Sequence, residues 1–173
     1  MRNFVLGVVS TFVLAASAGA GYLVSTGLST RDDPGGIETR VARAARHLAI
    51  PRSMRGQANA ITPGPDAVAT GLKIFAGFCA SCHANDGSGQ IALGQAMFPR
   101  PPDMRLPATQ EMTDGELFYI IEYGVRFTGM PGWSNGTPEG EAMGWNLVHF
   151  IRHLPRLMPN EIADMEALNP QRP

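Results

Sequence analysis

Two cysteines in 173 residues leave almost no room for a disulfide scaffold, and the four histidines form no finger-like spacing with them. A closed zinc site needs four Cys, His or carboxylate ligands. Only His47, His149 and His153 are left to join Cys79, Cys82 and His83. No run of alternating or continuous β-branched residues marks a strand, so a thioredoxin-like β-α-β setting for a dithiol is missing as well. The chain has no internal repeat and is nearly neutral, with a net charge of −1. No basic block of the kind that binds nucleic acid stands out.

What is there is concentrated in Cys79-Ala80-Ser81-Cys82-His83. This C-x-x-C-H spacing lets two thiols add to the two vinyl groups of one haem and sets an imidazole beside the iron. Both cysteines are used, so the chain can carry one such haem c and no additional disulfide. A second C-x-x-C-H, as a c-type haem peroxidase would normally need, is not present.

Residues 4–30 carry no charge; Arg2 precedes them and Arg31-Asp32-Asp33 closes the run. At 1.5 Å per residue, 25 helical residues span roughly 37 Å, enough for a hydrocarbon core of about 30 Å. Two readings stand. One is an uncleaved transmembrane helix. The other is a signal segment cut after Ala18 or Ala20, since both Ala16-Ser17-Ala18 and Ala18-Gly19-Ala20 fit A-x-A. Tyr22-Leu23-Val24 carries the apolar run past both sites and favours the anchor. Either way the remainder is exported. The expected location is the inner membrane, single-pass, with residues 31–173 in the periplasm; the alternative is a soluble periplasmic protein.

Four regions follow: an anchor or signal at 1–30, a basic linker at 31–66, a main domain at 67–155 and a peripheral tail at 156–173. Residues 37–49 read as a short amphipathic helix, with Val41, Ala44, Ala45 and Leu48 on one face and Arg40, Arg43 and Arg46 on another. Pro51 ends it, and 51–66 reads as extended linker. Residues 1–70 sum to +3 and residues 71–173 to −4, a dipolar arrangement suited to steered, transient docking. The basic arm suits either anionic lipid headgroups or a partner subunit. In the main domain, helices are expected over 67–79, from Thr113 to Tyr123 and over 139–154. Thr113 is placed as N-cap, Glu116 in the capping-box position and Gly124 as the stop.

Residues 67–155 resemble the class I cytochrome c family. Beyond the haem motif, Gly71, Phe75 and Cys79 repeat at four-residue intervals, Leu147 and Phe150 stand three apart on the last helix, Pro101-Pro102-Asp103-Met104 follows the motif, and Gly129-Met130-Pro131 lies 47 residues after His83. The resemblance implies an all-α fold of helices around one covalently bound haem c. It implies that glycine and aromatic let the first helix cross the last, and that a Pro101 or Pro102 carbonyl accepts a hydrogen bond from the proximal ligand His83. Met130 is then the sixth ligand, chosen over Met97, Met104, Met112 and Met143 because its loop can reach the opposite face. Arg126 is the first candidate for the haem propionates, with Tyr123 and Trp133 beside it; Phe118 and Ile121 are pocket or core.

The function implied is electron transfer without catalysis, between redox protein partners or membrane complex subunits, with no small-molecule substrate and no nucleic acid. Alternatives are a haem subunit of an exported dehydrogenase or terminal oxidase, and a haem-based ligand sensor.

Overall fold

Twenty-five residues with no acid and one base make the first helix, α1 (Arg2–Thr26). The computed structural model describes every residue except Leu28, Ser134 and residues 170–173. The chain divides into two units, Met1–Asp32 and the part from Asp33 onward. In the first unit, α1 is exposed along its length. Among the described residues it is the single helix long and apolar enough to cross a membrane, with mean hydropathy 1.9.

The second unit is helical, and no strand occurs among its described residues. Its elements are α2 (Gly36–Ala49), α3 (Arg52–Arg55), α4 (Pro65–Ile74), a π-helical turn (Phe75–Cys79), α5 (Ala80–His83), α6 (Ala92–Gln95), α7 (Pro107–Gln110), α8 (Asp114–Tyr123), α9 (Pro138–His153), a 3₁₀ turn (Leu154–Arg156) and α10 (Pro159–Leu168).

The crossing of α4 on α9 organises the domain. A Cβ at Gly71 would overlap the Asn146 carbonyl and stand 2.7 Å from Cβ of Phe150. The missing side chain is what lets the two backbones approach. Phe75, Ala76, Leu147, Val148, Phe150 and Ile151 fill the seam. Phe118 on α8 stacks on Trp145 of α9, with ring centroids 3.9 Å apart and planes 3° from parallel. Helix α8 starts with the expected capping box: Thr113 Oγ1 accepts from the Glu116 amide at 3.2 Å, and the Glu116 carboxylate accepts from the Thr113 amide at 2.8 Å. Gly124 ends it at φ +70°. Arg152 ties α9 to this corner, donating to Asp114 at 2.9 Å, to the Gln110 carbonyl at 2.7 Å and to the Met112 carbonyl.

Two segments differ from their expected roles. Residues 51–64 are not a free extended linker. Ile50 is buried, and the Arg55 carbonyl accepts from Thr113 Oγ1 at 2.7 Å. Asn59 donates to the Trp145 carbonyl at 3.1 Å, and His149 Nε2 lies 2.8 Å from the Ile61 carbonyl. Backbone polar groups, which periodicity ignores, hold this segment down. Likewise, residues 156–169 are not wholly peripheral. Helix α10 buries Met165 completely in the core, and His153 and the Met158 amide meet Glu161 at 2.9 and 2.8 Å.

Candidate haem site

The cysteine motif begins where helix geometry changes. Helix α4 runs straight into the π-helical turn, which ends on Cys79, and α5 carries Cys82 and His83. A π turn inserts one residue into the helical spacing. Phe75 opens that turn, fully buried, with its ring 5.2 Å from Phe150 and 6.3 Å from the His83 imidazole. The helix crossing and the histidine therefore share one aromatic side chain.

His83 is 8% exposed. Its Nδ1 is buried without a hydrogen-bond partner, and burial pushes its pKa down to about 4. The imidazole is neutral at pH 7 and has a lone pair to give, which is what metal ligation requires. Burial pushes the Cys79 thiol up to about 12, with Cys82 adding to the effect. Reactive redox dithiols have lowered pKa values; the shift at Cys79 runs the other way. Both cysteines are unbridged. No cluster of three His, Cys, Asp or Glu suited to a metal ion occurs among the described residues.

An apolar cavity of about 80 Å³ opens beside Cys79, lined by Ile74, Phe78, Ile121, Trp133 and Leu147 among others. Two thiols three residues apart, a neutral buried histidine with an orphaned ring nitrogen and an apolar cavity beside Cys79 fit covalently bound haem c. Cys79 and Cys82 would hold it by thioethers and His83 would ligate its iron.

The remaining candidates lie at different distances from this cluster. Met130 is half-buried in the loop after α8. The loop is braced from within. The Met130 carbonyl accepts from the Val125 amide at 3.1 Å, and the Met130 amide donates to Thr128 Oγ1 at 3.1 Å. The Trp133 amide donates to the Ile121 carbonyl at 3.0 Å. Trp133 also packs on Phe78, rings 5.8 Å apart, joining the Met130 loop to the turn that carries Cys79. The Pro101 carbonyl lies against Gly89, where a Cβ would stand 2.7 Å from it. The Gly89 amide in turn donates to the His83 carbonyl at 2.7 Å. The expected bond from His83 to the Pro101 or Pro102 carbonyl is not formed, because the imidazole Nδ1 has no partner.

Arg126 is exposed on a turn. Tyr123 is exposed and packs on Tyr119 at 4.7 Å. Phe118 belongs to the core through Trp145, whereas Ile121 lines the cavity.

Sequence reasoning missed Phe78, and weighed Met97 only as an alternative ligand. Phe78 follows Phe75 by three, a spacing that signals a shared side of the helix. Met97 fills the space against Gly129, next to Met130; no local pattern announces that contact.

Residues 66–151 match the family model described as cytochrome c oxidase, cbb3-type, subunit III. No curated protein matches the chain. The matched region starts at α4, spans the cysteine motif, His83 and the Met130 loop, and ends on α9. An all-helical domain built on C-x-x-C-H, with this match, carries covalently bound haem c and transfers electrons: the chain belongs to the c-type cytochromes.

Proposed function

We propose that this chain is a membrane-anchored, mono-haem electron carrier with His83 and Met130 as axial ligands, its haem domain on the exported side of the membrane. When bound, the haem supplies a reversible one-electron change at iron. The chain's residues supply everything else. Cys79 and Cys82 keep the cofactor attached when no partner is present. His83, held neutral by burial, gives a nitrogen lone pair without first losing a proton. Met130 offers a soft thioether, which favours the reduced metal and raises the potential. With His83 and Met130 both holding the iron, no position would be free for oxygen or peroxide, and the domain would conduct electrons rather than catalyse a reaction of its own.

The observation that carries the reading is the braced 124–133 loop. Its internal hydrogen bonds brace the loop that carries the half-buried Met130, and Trp133, three residues further on, packs on Phe78 in the turn that ends on Cys79, which supports the reading. Among the other methionines, Met104 is buried core, Met112 accepts from Arg46 at 3.7 Å and Met97 packs on Gly129, while Met143 lines the cavity beside Cys79 from α9.

The test is an absorption spectrum of the full chain matured with haem, oxidised and reduced, with and without carbon monoxide. The expected result is a sharp c-type reduced spectrum unchanged by carbon monoxide, and a sulfur-to-iron band in the oxidised form. Ready carbon monoxide binding would remove Met130 as a firm ligand and bring the sensor reading forward.

A second reading has its own support. The matched family is named for an oxidase subunit, and the basic segment from Arg40 to Arg55 is well placed for assembly. Under it the same haem domain relays electrons as a subunit of a terminal oxidase. Stable co-purification with other membrane subunits would favour this reading over a freely diffusing carrier.

A further inference from the structure

Helix α2 (Gly36–Ala49) is anomalous. It buries no residue, yet Ile37, Val41 and Leu48 are 79%, 63% and 74% exposed. Spacings of four, three and four place Ile37, Val41, Ala44 and Leu48 on one face. The only half-buried residues of the helix are Thr39 and Arg46, seven apart on the opposite side.

That opposite side is the attached one. Arg46 donates to the Met112 sulfur at 3.7 Å, and His47 meets Glu116 at 2.6 Å. Arg55 reaches both the Ile50 carbonyl and His47 at 3.1 Å, and Ile50 is buried just beyond the helix end. The domain thus grips α2 by its polar face and turns the aliphatic face outward. A helix formed only to continue the chain would have the reverse orientation.

We propose that α2 is an interfacial helix whose Ile37, Val41 and Leu48 lie in the surface of an anionic lipid bilayer. Two observations favour lipid over a protein partner. Residues 36–55 carry five arginines against the single acid Glu38, and Arg40 lies at the edge of the apolar face, the composition of an interfacial helix. The apolar helix α1 ends at Thr26, so residues 27–35 are the whole tether. Nine residues reach at most about 30 Å when extended. With α1 in the bilayer, α2 cannot leave its neighbourhood. The inference therefore rests on the anchor reading of α1. Its consequence is functional: a helix clamped to the domain on one side and to lipid on the other fixes the height and tilt of the haem domain, which a flexible tether would leave free.

The test uses the full-length holoprotein, in which both native thiols are thioethers and a new cysteine labels selectively. Leu48→Cys, Val13→Cys and Glu139→Cys each carry an environment-sensitive fluorophore. Each is reconstituted into vesicles of phosphatidylcholine and phosphatidylglycerol in equal parts, with brominated acyl chains as quencher. The haem spectrum verifies that each variant is folded.

The label at 48 is expected to be quenched, the label at 139 to remain in water, and the label at 13 to be quenched as a check on the anchor. Pure phosphatidylcholine lowers quenching at 48. Arg40→Gln with Arg43→Gln lowers its bound-to-free ratio by roughly 30-fold, at about 1 kcal/mol per arginine near an anionic surface. A water-like label at 48 beside a quenched label at 13 overturns the proposal and leaves the anchor standing. A label at 48 shielded from water but untouched by bromine assigns the face to a protein, and also overturns it. An unquenched label at 13 removes the anchor reading and overturns the proposal with it, whatever the label at 48 shows.

Discussion

At Gly71 a single methyl group decides how closely two helices pass. Its Cβ would overlap backbone at Asn146 and crowd Phe150, and neither the α9 backbone nor a fully buried ring can yield cheaply. Gly71→Ala is expected to destabilise the holoprotein by about 1–3 kcal/mol, the usual range for overpacking a filled core. Denaturant unfolding followed at the haem band measures it; a change within error would mean that α4 can slide on α9. Met130 gives a different kind of prediction, one of chemistry. Met130→Ala should leave haem attachment intact, remove the sulfur-to-iron band and admit carbon monoxide to the reduced form. Retention of the wild-type spectrum would pass the ligand role to another side chain. Gly71 was legible in the sequence because it stands in a four-residue repeat with Phe75 and Cys79, and the haem motif because its spacing is fixed. The surroundings of the His83 Nδ1, which has no partner, were not: which carbonyls a turn-rich segment turns inward is not written in spacing.

Elements were legible where period and punctuation agree. Thr113, Glu116 and Gly124 delimit α8 because capping and positive φ are local requirements. Helix α10 escaped because its case for packing rests on one residue, Met165, in a polar, proline-flanked segment. Met165→Ala should cost about 3 kcal/mol, as for other large-to-small core changes, and calorimetry of the holoprotein would show it. A loss of a few tenths would return the segment to a peripheral tail. The same helix carries a pH signature. Burial alone would raise the Glu161 pKa, but the Met158 amide and His153 outweigh it and hold the carboxyl below its ordinary value. A carboxylate whose folded pKa is depressed contributes stability above its unfolded value, about 4.3 for glutamate. That contribution disappears as pH falls through the lower folded pKa. Wild type should therefore lose stability more steeply than Glu161→Gln on the acid side of pH 4.3. Parallel acid limbs would mean that Glu161 titrates as it does in the unfolded chain.

For the whole molecule, the question is what the apolar helix α1 does for the haem domain. The described core runs from Leu72 to Met165 and takes nothing from residues 1–32. Its closest supports on the N-terminal side are Met54 and Ile61, and Ile50 is buried just before them. A domain that owns its core needs no anchor to fold. Replacing residues 1–32 with a cleavable export signal should therefore release a soluble holoprotein with the same reduced spectrum and the same unfolding midpoint. Cutting further, to residue 64, should lower that midpoint. It would strip the Thr113–Arg55, Asn59–Trp145 and His149–Ile61 hydrogen bonds and leave the Trp145 carbonyl, the His149 ring nitrogen and the Thr113 hydroxyl without these partners. Equal midpoints for the two truncations would show residues 33–64 to be an ornament on the domain. A lower midpoint for the first truncation alone would assign α1 a structural role that its own exposed surface gives no reason to expect.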